Sequence, residues 1–368
     1  MTTSQIEIQL IAAVVAVACA LPGVFLVLRR MAMMSDAISH TVLLGIVIAF
    51  FLVGSMESPL LVLGAAAMGL ITVSLVELLN KTRLVKQDAA IGLVFPALFS
   101  LAVILISRYA GGVHLDADAV LLGELAFAPF DRLALFGFSL PKSLAVMSGI
   151  LLLNGLFITL FYKELKLATF DAGLAATLGL SPALVHYGLM GVVSITAVGA
   201  FDAVGSVLVV ALMIAPAAAA YLLTDSLPRM LGLAALIGMV SAISGYWLAR
   251  TLDANIAGSM ATMTGAAFLL AFLFAPQRGM AAFARRRQRQ KWEFAQTSLA
   301  MHLMNHEATP AAANECTVGH LQDHFRWQPA FADRVVDKAQ RRDLVKRENG
   351  RLILMENGRS LAREALVR

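Results

Sequence analysis

Two residues able to bind a metal ion, Asp36 and His40, stand four positions apart in a chain that otherwise keeps charge out of its apolar runs. On a helix this spacing puts both side chains on one face, with Cβ atoms roughly 5–6 Å apart. A carboxylate and an imidazole at that separation can bind one divalent cation from the same side. Because ionisable groups inside a membrane helix are costly, the pair is a candidate for function.

The types of the two ligands narrow the class of metal. A hard carboxylate oxygen with a borderline imidazole suits Mn²⁺, Zn²⁺ or Fe²⁺ and disfavours copper, whose sites use thiolate and thioether. One chain offers two ligands here, and a two-fold pair of chains would bring four around one ion. The residues alone leave an alternative open, in which Asp36 and His40 only pair with each other and Arg29-Arg30, two turns away, acts as a counter-ion.

The composition predicts the elements that must hold this pair. Mean hydropathy is +0.78 and charged residues make up only 14% of the chain, which is typical of a polytopic membrane protein. Apolar stretches of ~20 residues predict an all-α fold with about nine transmembrane helices. They lie at about 8–28, 33–53, 59–79, 89–107, 143–162, 187–202, 204–223, 230–250 and 256–275.

The distribution of Lys and Arg predicts the orientation of these helices, because basic loops stay in the cytoplasm. Arg29-Arg30, residues 81–86, residues 163–166, Arg229 and the basic tail all fall on one side if the N-terminus is outside. We therefore expect an external N-terminus and a cytoplasmic C-terminus.

A change in charge divides the chain. Residues 1–276 carry a net charge of −2 and residues 277–368 carry +7. We expect a transmembrane domain at 1–276, a basic cytoplasmic linker at 277–293 and a small α+β domain at 294–368. Within the last, helices are expected at 294–306, 318–327, 329–343 and 360–367, with a hairpin turning at Asn349-Gly350, a strong turn signal. This order is typical of a winged-helix-like module.

The sequence leaves the role of this tail open. Its third helix could enter the major groove of DNA through Arg334, Lys338, Arg341 and Arg342. It could instead regulate or dock on an ATPase, or attract anionic membrane lipid. It could also sense metal through two i,i+4 histidine pairs, which could equally be ordinary exposed polar residues: His302, His306, His320 and His324. Because a membrane tether limits access to a chromosome, we expect regulation or docking rather than nucleic-acid binding.

The cytoplasmic connection from Lys163 to Tyr187 is longer than a turn. It predicts a short amphipathic helix that ends at Gly179 and a new helix capped by Ser181 before Pro182. Such a helix could be a lever for a partner or an ordinary interfacial helix.

The remaining ionisable residues are weaker candidates. His114, Asp116 and Asp118 are expected in an external polar loop and Asp202 in an external turn. Glu77 and Asp88 should pair with the basic loop at 81–86, and His186 should be structural.

Several segments resemble the permease family of manganese, zinc and iron ABC importers. The most diagnostic is Arg29–His40 with its Asp-x-x-x-His element, followed in the family's usual order by weaker segments that reach Pro276. These are Asp88–Gly92, Phe170-Asp171 with Ala175–Leu180, Ala203–Gly205 with Leu208–Leu212, and Ala215–Ala218.

The resemblance implies that the chain is a transport subunit of the bacterial cytoplasmic (inner) membrane and is not an enzyme. Its expected partners are an ATP-binding subunit, an extracellular or periplasmic metal-binding protein, and a second permease that is either a copy or a paralogue. Asp36 and His40 would line the path of the transported ion, and no cofactor would be bound stably. The resemblance favours manganese, with zinc and iron open.

By the same resemblance, the cytoplasmic loop would couple to the ATPase through Phe170, Asp171, Ala175, Gly179 and Leu180. The printed sequence contains no Gly-x-x-x-x-Gly-Lys-Ser/Thr, so ATP hydrolysis is expected on a separate subunit.

A second hypothesis is a membrane-anchored metal-responsive regulator that acts through the winged-helix-like tail. An intramembrane metalloprotease is disfavoured because the sequence has no His-Glu-x-x-His.

Overall fold

The computed structural model describes residues 2–54, 58, 60–109, 125–135, 138–310 and 312–367. Over these residues the chain divides into two compact units, Met1–Gly279 and Met280–Arg368. Each unit has a hydrophobic core of its own.

The first unit is helical and apolar. Among the described residues nine helices are long and apolar enough to cross a membrane, which confirms the predicted number. They are α1 (Thr3–Leu28), α2 (Ala32–Val53), α3 (Leu60–Lys81), α4 (Gln87–Tyr109), α5 (Lys142–Leu160), α8 (Pro182–Val204), α9 (Ser206–Leu223), α10 (Leu227–Leu252) and α11 (Ile256–Phe274). Two shorter helices, α6 (Tyr162–Phe170) and α7 (Ala172–Thr177), join α5 to α8.

Close helix packing in this unit depends on glycine. A Cβ atom added at Gly45 of α2 would lie 2.3 Å from the carbonyl oxygen of Gly64 on α3, so the two backbones touch. A Cβ atom added at Gly23 of α1 would lie still closer, 1.8 Å, to the Met213 carbonyl oxygen of α9. Small residues of this kind are what membrane helices use where lipid gives no hydrophobic driving force. The Gly45–Gly64 contact fixes α2, the helix of the candidate site, against α3.

A hairpin of two strands, β1 (Arg132–Leu135) and β2 (Phe138–Pro141), precedes α5. The Arg132 guanidinium donates to both carboxylate oxygens of Glu7 on α1, at 3.1 and 3.2 Å. This bidentate pair ties the hairpin to the first helix. The predicted external residues His114, Asp116 and Asp118 lie outside the described residues.

The second unit has the predicted order of helices and hairpin, with shifted boundaries. Asn349 and Gly350 both have positive φ, at 50° and 81°, as a two-residue hairpin turn requires. The hairpin prediction is therefore confirmed. The elements are α12 (Met280–His306), α13 (Ala312–Glu315), α14 (Val318–Phe325), α15 (Pro329–Gln340), β3 (Val345–Glu348), β4 (Arg351–Leu354) and α16 (Glu356–Val367).

The sequence predicted that the basic stretch 277–293 is a linker, whereas most of it is helical. From Met280 onward it is the first half of α12, continuous with the helix expected at 294–306. The physical cause of this helical conformation is the composition of the stretch, since Ala, Arg, Gln and Lys are all strong helix formers. The closing helix likewise begins at Glu356, four residues before the expected start.

Candidate metal site

The turn between α1 and α2 places the candidate pair. Arg30 adopts a left-handed conformation with φ of 59°, and the Met31 N–H donates to the Leu26 carbonyl at 2.8 Å, which closes the end of α1. Helix α2 begins at the next residue, so Asp36 and His40 lie in its first two turns or just beyond. His40 Nε2 is 3.5 Å from Asp36 Oδ1. The structure therefore brings the two side chains together as their spacing predicts.

The pair is accessible without being on the open surface. The side chain of Asp36 is 37% exposed and that of His40 is 25% exposed in the single chain. Two aromatic rings of α4 contact the imidazole, Phe95 at 5.2 Å between ring centroids and Phe99 at 5.7 Å in an edge-on arrangement. These contacts restrict the imidazole on the side facing α4. Nothing in the sequence marks Phe95 or Phe99 for this contact.

Hydroxyl groups line the same stretch of α2. Ser39 Oγ donates to the Ser35 carbonyl, and Thr72 of α3 donates to Thr41 at 2.8 Å. The Ser35 hydroxyl, next to Asp36, is buried and has no hydrogen-bond partner among the described residues. The site helix thus presents polar groups in an otherwise apolar bundle.

The number of ligands in one chain is two. In the described part of the chain, no group of three or more His, Cys, Asp and Glu side chains is arranged to hold a metal ion. Because a transition metal bound by protein takes at least three or four ligands, Asp36 and His40 form at most half of a site.

Arg29 does not serve as the counter-ion that the sequence left open. Among the ion pairs of the described residues, Asp36 is paired with His40 and not with Arg29. The Arg29 guanidinium is instead half-buried, and its Nε donates to Thr169 Oγ1 at 3.0 Å. This bond connects the end of α1, three residues before the site helix, to the end of α6, 140 positions further along the chain.

The cytoplasmic segment after α6 folds as its sequence predicts. Asp171 caps α7 by accepting from the Leu174 N–H at 2.8 Å, and Gly179 takes a φ of 81° that suits glycine. Ser181 caps α8 by accepting from the Leu184 N–H, with Pro182 in the first helical position.

The five residues that the resemblance assigned to coupling have different environments. Phe170 is 62% exposed, whereas Ala175 is fully buried and packs inward. Asp171 and Gly179 are exposed and Leu180 is half-buried. Leu174 and Leu178, which the sequence analysis did not single out, are 46% and 64% exposed. The segment therefore presents an apolar surface of Phe170, Leu174 and Leu178, which we call the coupling surface.

Other ionisable residues of this unit have local roles. Glu77 pairs with Lys81 at 3.1 Å, as expected, and also accepts from the Tyr187 hydroxyl, which was not expected. Asp88 is in no ion pair of the described residues and lies in the first turn of α4. Asp202 is exposed in the last turn of α8.

Basic residues of the tail are partly engaged within their own unit. The Lys338 ammonium lies 4.3 Å from the centroid of the Trp292 ring, and Arg334 lies 6.0 Å from it. Arg342 donates to the Gln296 side chain at 2.7 Å. The candidate DNA-binding face is therefore partly used for contacts to α12.

The four tail histidines come together. His302 of α12 lies near His306 of its own helix and near His320 and His324 of α14. The four closest pairs of histidine ring centroids are between 4.5 and 5.6 Å apart. Their spacing in the sequence predicted two pairs but not that the pairs would face each other.

Comparisons with known proteins agree with this architecture. The family model described as the ABC 3 transport family matches residues 4–275, which is almost all of the first unit. The zinc transport system membrane protein TroD of Treponema pallidum (strain Nichols) is 52% identical over 360 residues and spans 98% of both chains. Its similarity therefore includes the tail.

Two further proteins match the membrane part. The manganese transport system membrane protein MntD of Bacillus subtilis (strain 168) is 51% identical over 267 residues, 72% of this chain and 90% of its own. A solved structure, PsaBC from Streptococcus pneumoniae in complex with Fab, has a TM-score of 0.63 at 28% identity and covers 75% of this chain and 94% of the matched chain. On these grounds the chain is a multi-pass membrane protein that belongs to the ABC 3 transport family.

Proposed function

We propose that this chain is the permease subunit of an ATP-driven importer of Mn²⁺ or Zn²⁺, with Asp36 and His40 as ligands along the path of the ion. The observation that carries the proposal is the 3.5 Å approach of a carboxylate and an imidazole on an apolar helix of a transport-family protein. Partial exposure of both groups leaves them open to an ion. A site of two ligands per chain suits transit, because an ion held by a closed cage would not be released.

A second permease chain completes the site in this proposal. Two chains related by a two-fold or pseudo-two-fold axis would place four ligands around one ion. A second zinc transport system membrane protein of Treponema pallidum, TroC, is 34% identical to this chain over 271 residues. Two such proteins in one organism support a paralogue as partner, and a second copy of this chain is the other candidate.

Coupling to a separate ATP-binding subunit rests on the segment from Phe170 to Leu180. Its coupling surface exposes apolar side chains on a short capped helix, which is suited to a groove on another protein. The bond from Arg29 to Thr169 connects the preceding residues to the end of α1, three residues before the site helix. Movement of α7 by an ATPase would thereby reach the turn that positions Asp36. A periplasmic or extracellular metal-binding protein would deliver the ion from the other side.

The choice of metal rests on the relatives. One relative that spans the whole chain is named for zinc, and the relative that spans the membrane part at similar identity is named for manganese. Carboxylate oxygen suits Mn²⁺ and imidazole suits Zn²⁺, so the ligand types permit both. The family match gives no support to the alternative of a membrane-anchored regulator, since it covers the helices and not the tail.

We also propose that the tail is a winged-helix-like domain, as its sequence predicts. Beyond the hairpin, Thr317 pairs with Arg351 across an isolated bridge, and the Leu352 N–H donates to the Cys316 carbonyl. The chain before α14 thus adds a single bridged residue beside β4, an arrangement that supports a wing. We assign this unit to regulation or docking rather than to DNA.

The proposal is tested by metal uptake in cells that lack their own importer and carry this chain with its partner subunits. Asp36→Ala and His40→Ala should each lower the uptake of radiolabelled Mn²⁺ or Zn²⁺ at least about tenfold, since even indirect partners of metal ligands cost 10–100-fold in affinity. Asp202→Ala, which removes an exposed carboxylate elsewhere, should leave uptake unchanged. Wild-type uptake in both Asp36 and His40 variants would sink the assigned site. A competition series between the two metals identifies the substrate.

A further inference from the structure

The second unit contains a cluster of histidines that the transport proposal does not use. Four of the seven histidines of the chain belong to it: His302, His306, His320 and His324. His302 lies 4.5 Å from His306, 4.7 Å from His324 and 5.4 Å from His320 between ring centroids, and His320 lies 5.6 Å from His324. We call this group the histidine cluster.

The cluster is built from two matched pairs. On α12 and again on α14, two histidines are separated by four positions and therefore share one face of their helix. Two histidines at this spacing on a helix are a known arrangement for holding zinc from one side. Here the two pairs meet at His302, whose ring lies near both His320 and His324 of α14 and near His306 of its own helix.

The cluster runs from the core of the unit to its surface. His302 is 5% exposed, His306 and His320 are half-buried, and His324 is exposed. An ion arriving from solvent would meet His324 first and the buried ring last. This change from a buried ring to an exposed ring gives an ion a route from solvent into the cluster. Rings packed only for stability would not need such a route.

Contacts around the rings orient them as ligands. The carboxylate of Glu315 contacts His306 Nδ1, which leaves the Nε2 atom of that ring for a metal. Such a carboxylate partner behind a ligating imidazole fixes its tautomer and raises its basicity. His302 Nε2 is 3.2 Å from the Glu315 carbonyl oxygen, which leaves its Nδ1 available. One residue, Glu315, thus holds both histidines of α12.

Of the four rings, His302 is the buried one, and a buried ring nitrogen needs a partner, either a hydrogen bond or a metal ion.

In this structure the four rings are not arranged around a common position for a metal ion. The planes of His302 and His320 are 26° apart, as are those of His320 and His324, and no three side chains of the described residues already hold the geometry of a metal site. Binding therefore requires the rings to turn about their side-chain torsions.

We infer that the histidine cluster is a binding site for a borderline divalent cation, Zn²⁺, which ties α12 to α14. Imidazole ligands suit zinc, while Mn²⁺ prefers oxygen, so the cluster should discriminate against Mn²⁺. This site is separate from Asp36 and His40 and does not depend on the transport proposal.

The inference is tested on the full chain, purified in detergent with an affinity tag that contains no histidine. Every protein carries His40→Ala, which removes a ligand of the membrane site. After equilibrium dialysis against Zn²⁺, this background should retain one zinc ion per chain. Adding His320→Asn and His324→Asn should weaken zinc binding at least about tenfold. Adding Asp323→Ala, an exposed neighbour on the same helix, should not.

A second measurement separates loss of ligands from loss of fold. Co²⁺ in place of Zn²⁺ should give the visible absorption of a tetrahedral site in the His40→Ala protein and not after the two asparagine substitutions, at equal helix content by circular dichroism. Glu315→Gln should keep the fold and weaken binding. Equal zinc content in the background and the doubly substituted protein would overturn the inference, as would equal affinity for Mn²⁺ and Zn²⁺.

Discussion

At the scale of single residues, the two sides of His40 have different environments. Phe95 and Phe99 contact the ring from α4, and the carboxylate of Asp36 lies one turn back along α2. The aromatic contacts limit the directions from which an ion can approach.

Arg29 leads to a prediction about coupling between the candidate site and the cytoplasmic segment that follows α6. Its guanidinium is half-buried and donates to Thr169. Thr169→Val keeps the shape of the side chain but removes the acceptor, and a buried donor left without a partner costs about 1–3 kcal/mol. We expect less metal transported per ATP hydrolysed in the assembled transporter, with metal binding at Asp36 and His40 unchanged.

The matched control for this prediction is Thr159→Val. Thr159 is exposed on α5 and its hydroxyl donates only to carbonyls of its own helix. It should transport as wild type. Equal coupling ratios for Thr169→Val, Thr159→Val and wild type would show that the Arg29 bond carries no signal.

At the scale of elements, substitutions of Asp171 can distinguish helix capping from a direct contact with the ATPase. Its side chain caps α7, and Asn caps about as well as Asp, whereas Ala costs about 1 kcal/mol. We therefore predict that Asp171→Ala lowers metal-stimulated ATP hydrolysis by the assembled transporter and that Asp171→Asn does not. If Asn is as defective as Ala, the charge of Asp171 contacts the ATPase directly and the capping account is wrong.

Much at this scale follows from the sequence. Runs of ~20 apolar residues fix the nine long helices, because backbone groups in lipid must be satisfied within the helix. Gly179, Ser181 and Pro182 carry conformational and capping preferences that mark the end of one helix and the start of the next. The basic stretch from Met280 is helical although the sequence predicted a linker, because Ala, Arg, Gln and Lys favour a helix regardless of their charge.

Contacts between helices could not be predicted in this way. The sequence shows that Asp36 and His40 share a face, but not that Phe95 and Phe99 come from α4 to meet them. Both are ordinary apolar residues of a membrane helix, and no local periodicity marks them. The same holds for the histidine cluster, whose two halves are 14 or more positions apart in sequence and meet only through the packing of α12 on α14.

At the scale of the whole molecule, the two units have separate cores. The core of the first is formed by its membrane helices, and that of the second by apolar residues of α12 to α16 such as Leu303, Leu321 and Val335. MntD, whose similarity spans 267 residues, covers 72% of this chain and 90% of its own length. The transport path and the tail are therefore separable in principle.

This separation predicts the effect of ending the chain after Gly279. The truncated protein should insert into the membrane and retain metal uptake in cells that supply its partners, because Asp36, His40 and the coupling surface all remain. Uptake and protein abundance in membranes are measured together. Loss of uptake at normal abundance would mean that the tail is needed for transport itself, and loss of metal-dependent transcription with normal uptake would revive the regulator hypothesis.

The central claim, that Asp36 and His40 bind the transported ion, is tested most directly by counting Mn²⁺ bound to the purified pair of permease chains with their ATPase subunits. Manganese is the chosen ion because the histidine cluster should bind it poorly. We predict one Mn²⁺ per pair of chains, with affinity at least about tenfold lower in Asp36→Asn and in His40→Gln and unchanged in Asp202→Asn. Wild-type affinity in both Asp36→Asn and His40→Gln would contradict the account.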